Sequence, residues 1–273
     1  TDSCVRMRNL DAAFPEASFH NGADIAASPT GSWENYAKAA IQALNAHFGE
    51  RRFPGMDLLF EGDIPMAAGL SSSSALVVAS ALAYLDATGR TLESDINRME
   101  LATLMAEAEH YVGTRGGGMD QAIILLGDAG HACKIDFFPL RVELAPLPAG
   151  HDIIACNSLV KAAKTGDALH RYNEGPRSCK MLCAMIERNI SEEFGMEVKL
   201  ERLGDLWYGP LCLTQREIEE IVARTFPRPN TTLADASRAL GMSEKAIREK
   251  WLGDLREPEG GFPLQARARH QMT

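Results

Sequence analysis

The 273-residue sequence predicts a chain that mixes α-helices with β-strands, and three patterns carry the prediction. Apolar residues recur at helical intervals between Gly31 and Gly49, a short strand pattern runs into a nearly all-apolar helix between Met56 and Thr88, and apolar runs lie on both sides of a "GDAG" turn. The length fits one large domain or two ordinary ones, and either can bury a sizeable core.

The first thirty residues show no regular period. Between Gly31 and Gly49, Trp33, Tyr36, Ala37, Ala40, Ile41, Leu44 and Phe48 share one helical face, with Ser32 as a candidate cap. "MDLLFEGDIP" reads as a strand ended by Gly62 and Pro65. Four serines then open a helix that is apolar on every side, is expected to be buried, and is stopped by Gly89. Leu101, Leu104, Met105, Ala108 and Val112 form one stripe of the next helix, which ends in "GTRGGGMDQ". "AIILL" and "HACKIDF" flank the "GDAG" turn, so a hairpin is expected there. The Pro-rich "PLRVELAPLPAG" reads as a boundary, "HDIIACNS" as a buried strand, and Asn173 to Ile190 as a helix. Short polar helices fill the final third, separated by "RTFPRPN", "ALGMS" and "REPEGGFP".

Composition narrows the function classes. A formal net charge of -9 repels polyanions in bulk, so nucleic acid is not the expected partner, although a small pocket for one phosphorylated ligand is compatible with it. "LADASRALGMSEKAIREKW" resembles a helix-turn-helix, but acids balance its Arg238, Lys245, Arg248 and Lys250, and two surface helices are expected instead. No apolar run approaches the roughly 18 residues of a membrane span, and "TDSCVRMRNLDAAFPEASF" lacks the layout of a secretory signal. A cytoplasmic location without membrane attachment is therefore expected. The six cysteines show no C-x-x-C, and only Cys179 and Cys183 sit a helical turn apart, so reduced thiols are expected rather than a metal centre.

Two loops carry chemistry. A strand, a Gly-containing turn and a Ser-rich helix start form a recipe for holding phosphate, because the first N–H groups of a helix have no partners within it and carry partial positive charge. In "PMAAGLSSSSA" the serines add hydroxyl donors, Gly69 removes a side chain where phosphate approaches, and one hydroxyl is a hard oxygen suited to magnesium. Plain N-capping explains one serine but not four, and the usual G-x-x-x-x-G-K-[ST] loop is absent. The second loop, "GTRGGGMDQ", sets three glycines before Asp120, whose carboxylate is placed to orient or deprotonate a hydroxyl; a glycine hinge with Asp120 as a cap is the alternative. Glu107 and Glu109 both flank the preceding stripe, and helical period does not choose between them.

Together these loops resemble the GHMP small-molecule kinases. "AEHYVGTRGGGMDQ" and "NSLVKAAKTGDALHRYN" are similar to the galactokinase branch, which includes N-acetylgalactosamine kinases, and "NLDAAFPEASF", "WENY", "FFPLR" and "QARARH" follow in the family's order. The resemblance implies an α+β fold of two domains, residues 1–146 and 147–273, with the active site in the cleft between them. It implies transfer of the γ-phosphoryl of ATP to the anomeric hydroxyl of galactose or a galactose-like sugar, with Mg2+, by a monomer. Carried over by position, Pro65, Gly69, Leu70, Ser71, Ser72, Ser73, Ser74 and Ala75 would hold the nucleotide. Ser73, with Ser74 as the alternative, and Glu109 would ligate magnesium, and Asp120 would be the catalytic base. Gly117, Gly118, Asp120, Asn157 and Tyr172 would line the sugar site.

The resemblance also sets expectations about what differs. The family's opening sugar-reading motif and its late Gly-rich motif have no counterpart in this stretch, which reads as the interior of a longer protein, expected to be inactive and poorly stable by itself. "GTRGGG" is closer to the N-acetylgalactosamine and fungal members, whereas Tyr172 points to galactose. In "YNEGPRSC" the arginine that usually follows "YN" more closely is displaced, leaving Arg177 as its candidate equivalent. A sensor that binds sugar and ATP without turnover is the other reading of the same residues.

Overall fold

The computed structural model describes residues 2–114, 116–137, 140–156 and 169–272, with the side chains of 169–172 and 271–272 outside that description. The chain forms two compact units, Thr1–Leu169 and His170–Thr273. Both strands and helices occur, as an α+β fold requires.

The first unit is built on a three-stranded sheet in the order β2-β1-β3. Strand β1 (Cys4–Asn9) runs antiparallel to β2 (Ala17–His20) and parallel to β3 (Met56–Phe60). In this register Val5 stands beside Phe19 and Met56. The period of two turns Val5 and Met7 inward and Arg6 and Arg8 to solvent. Helices α1 (Glu34–His47), α2 (Ser72–Ala87) and α3 (Arg98–Ala108) supply the rest of the core. Ile41, Leu44, Val77, Val78, Tyr84, Leu101 and Met105 are all buried there with Val5 and Met7. Then come a 3-10 turn (Glu109–Val112), α4 (Met119–Leu126) and the hairpin of β4 (His131–Asp136) with β5 (Arg141–Pro146).

The second unit is helical among its described residues. Helix α5 (Leu169–Phe194) lays Met181, Leu182, Ile186 and Ile190 against a core completed by Ile218, Val222, Phe226, Phe262 and Leu264. Around it lie α6 (Asp205–Tyr208), α7 (Gln215–Thr225), α8 (Leu233–Leu240), α9 (Glu244–Ile247), a π-helical turn (Arg248–Leu252) and α10 (Leu264–Met272). Thr214 with Glu217 and Thr232 with Asp235 form capping boxes that start α7 and α8, each side chain satisfying an otherwise orphaned N–H. The helix-turn-helix stretch is α8, a left-handed Gly241 and α9 capped by Ser243, with Leu233, Ala236 and Ile247 turned into the core.

Several local expectations are corrected. The opening residues are not irregular but form β1 and β2. "AIILL" lies in helix α4, and the hairpin pairs "HACKID" instead with "RVELAP", the stretch expected to be a boundary. A five-residue apolar run has no resolvable period, so packing of Ala122 and Leu125 decided for helix. "HDIIAC" forms no strand: residues 151–156 are exposed, Ile153 at 79% and Ile154 at 81%, and no described strand pairs with them. A strand without a hydrogen-bonded neighbour has nothing to hold it. Helix α2 is buried on one side only, since Ala79, Leu82 and Asp86 face solvent. Helix α1 begins after Trp33 with no side-chain cap from Ser32. No helix among the described residues is long and apolar enough to cross a membrane.

Candidate functional site

The serine stretch is reached through an unusual backbone. Ala67, Gly69 and Ser71 have φ of 55°, 78° and 57°, so every second residue is left-handed. Each non-glycine residue there costs about 1–2 kcal/mol, strain of the kind that concentrates at binding sites. Glycine at position 69 is explained by its φ, since an added Cβ would meet no protein atom within 4 Å.

Ser71 occupies the N-cap position of α2 but is left-handed and makes no side-chain cap. Plain N-capping by Ser71 therefore does not account for the first hydroxyl. Among the described residues, no hydrogen bond engages the hydroxyls of Ser71, Ser72 or Ser73, all three half-buried at the helix start. Pro65 and Leu70 are exposed, and Ala75 is half-buried one turn into the structure.

Ser74 behaves differently. It is 1% exposed, and its Oγ donates to Glu109 Oε1 at 2.6 Å. Glu109 stands where α3 tightens into the 3-10 turn, is 8% exposed, and has its backbone carbonyl bonded by Thr114 Oγ1 at 3.2 Å. Glu107 is exposed. Of the two acids that helical period left open, Glu109 is the one that faces inward. The Tyr36 phenol on α1 is held protonated, its pKa raised first by burial and then by the charge of Glu109.

The glycine loop arrives at the same place. Gly118, at φ 86°, caps the start of α4, and an added Cβ would lie 3.0 Å from Ala106 Cβ, so glycine lets α4 close against α3. Asp120 sits half-buried in the first turn of α4, where the helix dipole favours a carboxylate. The next residue, Gln121, is 3% exposed and donates from Nε2 to Ser74 Oγ at 3.3 Å. Serine loop and glycine loop are joined through Ser74, 47 residues from Gln121 in sequence.

Gln121 is the residue that sequence reasoning passed over. Its signal was its place on the Gln121, Ala122, Leu125 face of α4, which the strand assignment concealed. Gly117 is exposed beside Gly118. Asn157 lies outside the described residues, and so does the side chain of Tyr172. Arg177 is committed within its own unit, donating to the Leu252 carbonyl at 2.9 Å and to Asp254 at 2.7 Å. Among the described residues no three His, Cys, Asp or Glu side chains cluster to hold a metal.

The chain is also similar to known proteins. The GHMP kinases N terminal domain matches residues 35–128, from α1 to the end of α4. The chain is 31% identical to the galactokinase of Dictyostelium discoideum over 88% of its own length and 47% of that protein. It is 30% identical to the galactokinase of Schizosaccharomyces pombe over 98% of its length and 53% of that protein. It thus spans about half the length of these curated relatives. The crystal structure of Lactococcus lactis galactokinase complexed with galactose is similar in fold, with a TM-score of 0.55 at 19% identity, over 92% of this chain and 59% of that one.

Proposed function

We propose that this chain belongs to the galactokinase family of GHMP kinases and that the protein it represents transfers the γ-phosphoryl group of ATP to the anomeric hydroxyl of galactose. The bond from the γ-phosphorus to the bridging oxygen of ADP breaks, a bond from the sugar oxygen to phosphorus forms, and the hydroxyl proton passes to Asp120. The observation that carries the reading is the junction at Ser74, which sets a phosphate-type helix start directly against the loop that bears Asp120.

In this reading the left-handed turn at Ala67, Gly69 and Ser71 and the first amides of α2 receive the triphosphate, with Ser71, Ser72 and Ser73 adding hydroxyl donors. Asp120 orients and deprotonates the sugar hydroxyl, and Gly117 and Gly118 let backbone approach the sugar. Asn157 and Tyr172 belong to the sugar site by position in the sequence. Positioning and charge neutralisation supply most of the rate of such a transfer.

The oxygens of Ser73, Ser74 and Glu109 suit Mg2+, a hard cation that takes oxygen ligands. Glu109 is 8% exposed and accepts from Ser74 Oγ, which sets its carboxylate oxygens beside the serine hydroxyl. When bound, Mg2+ would neutralise triphosphate charge. The domain division proposed is residues 1–146 and 147–273; the first compact unit runs on to Leu169, through residues 147–156 that, past the end of β5, form no helix or strand. A cytoplasmic monomer is part of the same proposal.

ADP release by the full-length protein, measured with galactose and with N-acetylgalactosamine, tests the reading. Turnover with galactose supports it. Preference for N-acetylgalactosamine would reassign the sugar, and saturable binding of sugar and ATP without ADP release would make the protein a sensor.

A further inference from the structure

Gln121 has a polar side chain in a place where an apolar one would pack. It is 3% exposed on α4, with Ala122 and Leu125 buried beside it. Burying a carboxamide is costly unless its groups are bonded, and the bond it makes is to Ser74 Oγ at 3.3 Å. A serine hydroxyl has one proton and two lone pairs. The amide nitrogen of Gln121 donates and cannot accept, so the Ser74 proton is left for Glu109 Oε1, 2.6 Å away. The hydroxyl is held from two sides, with one lone pair still uncommitted.

We infer that Gln121 is a positioning residue for the phosphate end of the site: by donating to Ser74 Oγ it fixes the direction of that hydroxyl, keeps it on Glu109, and leaves its remaining lone pair aimed for a cation. Gln121 follows Asp120 directly, so one helix start carries both the sugar-side carboxylate and the group that aligns the phosphate-side oxygens. Displacement of α4 relative to α2 would disturb both at once. The role of Gln121 at the cation rests on the kinase reading, whereas its hold on the Ser74 hydroxyl does not.

Two variants of the full-length protein test this, Gln121→Met, which keeps volume but removes the donor, and Gln121→Asn, which keeps the amide but falls short of Ser74. In ligand-free crystal structures of either variant, Ser74 Oγ is expected to turn away, beyond about 3.5 Å from Glu109 Oε1. Retention of the wild-type contact in both would overturn the positioning role. By calorimetry, the gain in ATP affinity on adding Mg2+ should shrink about tenfold in both variants, the scale of one charge-linked hydrogen bond, with affinity for ATP in EDTA nearly unchanged. A gain equal to wild type in both variants would overturn the link to the cation, whereas equal loss with and without Mg2+ would mark a merely structural role. Wild-type protein that binds no ATP under either condition would overturn the kinase reading instead, and the Ser74 geometry would still decide the case of Gln121.

Discussion

Ser74 and Glu109, 35 residues apart in sequence, meet out of solvent with the serine hydroxyl donating to the carboxylate at 2.6 Å. This bond locks the start of α2 to the end of α3. It also separates Ser74 from the three serines before it, whose hydroxyls make no hydrogen bond among the described residues. Ser74→Ala should therefore lower stability by about 1–3 kcal/mol, the cost of depriving a buried carboxylate of a donor, and also weaken MgATP binding. Ser73→Ala should weaken MgATP binding with little change in stability. Urea unfolding and calorimetry read the two effects separately, and equal stability losses in both variants would contradict the division.

Asp120 is half-buried at the head of α4 and forms no part of the Ser74 junction itself. Asp120→Asn keeps size and polarity but cannot take a proton. Turnover should fall by about 100-fold or more, in the range for loss of a general base, while ATP affinity stays near wild type. Near-normal ADP release would remove Asp120 as the base.

The core of the first unit contains a polar network far down α2 from the serines. Tyr84 donates to Asn45 Oδ1, Asn45 Nδ2 donates to Asn21 Oδ1 at 2.8 Å, and Asn21 Nδ2 donates to the Pro54 carbonyl at 2.9 Å. All three side chains are buried. Tyr84→Phe removes a donor and leaves its acceptor enclosed, so a loss of about 1–3 kcal/mol is expected. Urea unfolding measures it; a variant as stable as wild type would show that the network is not needed to hold α1 and α2 together.

Cys183 is buried in the helical core, and burial first, with Cys179 nearby second, pushes its thiol from 9.0 up to about 12. The folded protein thus keeps a proton that the unfolded chain releases at lower pH. Its contribution to stability is fully present below about 9 and is lost as pH rises toward about 12. At pH 8, an aromatic disulfide reagent should label exposed Cys156 and Cys212 quickly and Cys183 only as the unit unfolds. Rapid labelling of Cys183 in native protein would contradict its placement.

Where a pattern was long or chemically singular, the sequence could be read directly. Fourteen residues of α1 repeat the helical period several times over, the nearly unbroken apolar run of α2 has the length of a helix, and four adjacent serines after a glycine have few structural uses. Short apolar runs were not legible in the same way. "AIILL" and "HDIIAC" both look like strands, yet one became part of helix α4, burying only Ala122 and Leu125, and the other stands exposed. Nothing within five or six residues reports whether a partner strand is available. The opening strands β1 and β2 were missed for the converse reason: Val5 and Met7 alternate with Arg6 and Arg8 over too few residues to stand out before the sheet is known.

The sequence by itself determined the chemical inventory of this protein: a serine-rich helix start behind a glycine, a glycine loop with a carboxylate, and the order in which they occur. Only the tertiary structure decided which of those groups meet. It turned Glu109 inward and left Glu107 exposed, set Ser74 apart from its neighbours, and brought Gln121 to bridge the two loops. The reason is physical. Residue type and spacing limit what a side chain can do, but the partner of a buried polar group is set by packing between segments 35 and 47 residues apart, to which no local pattern refers.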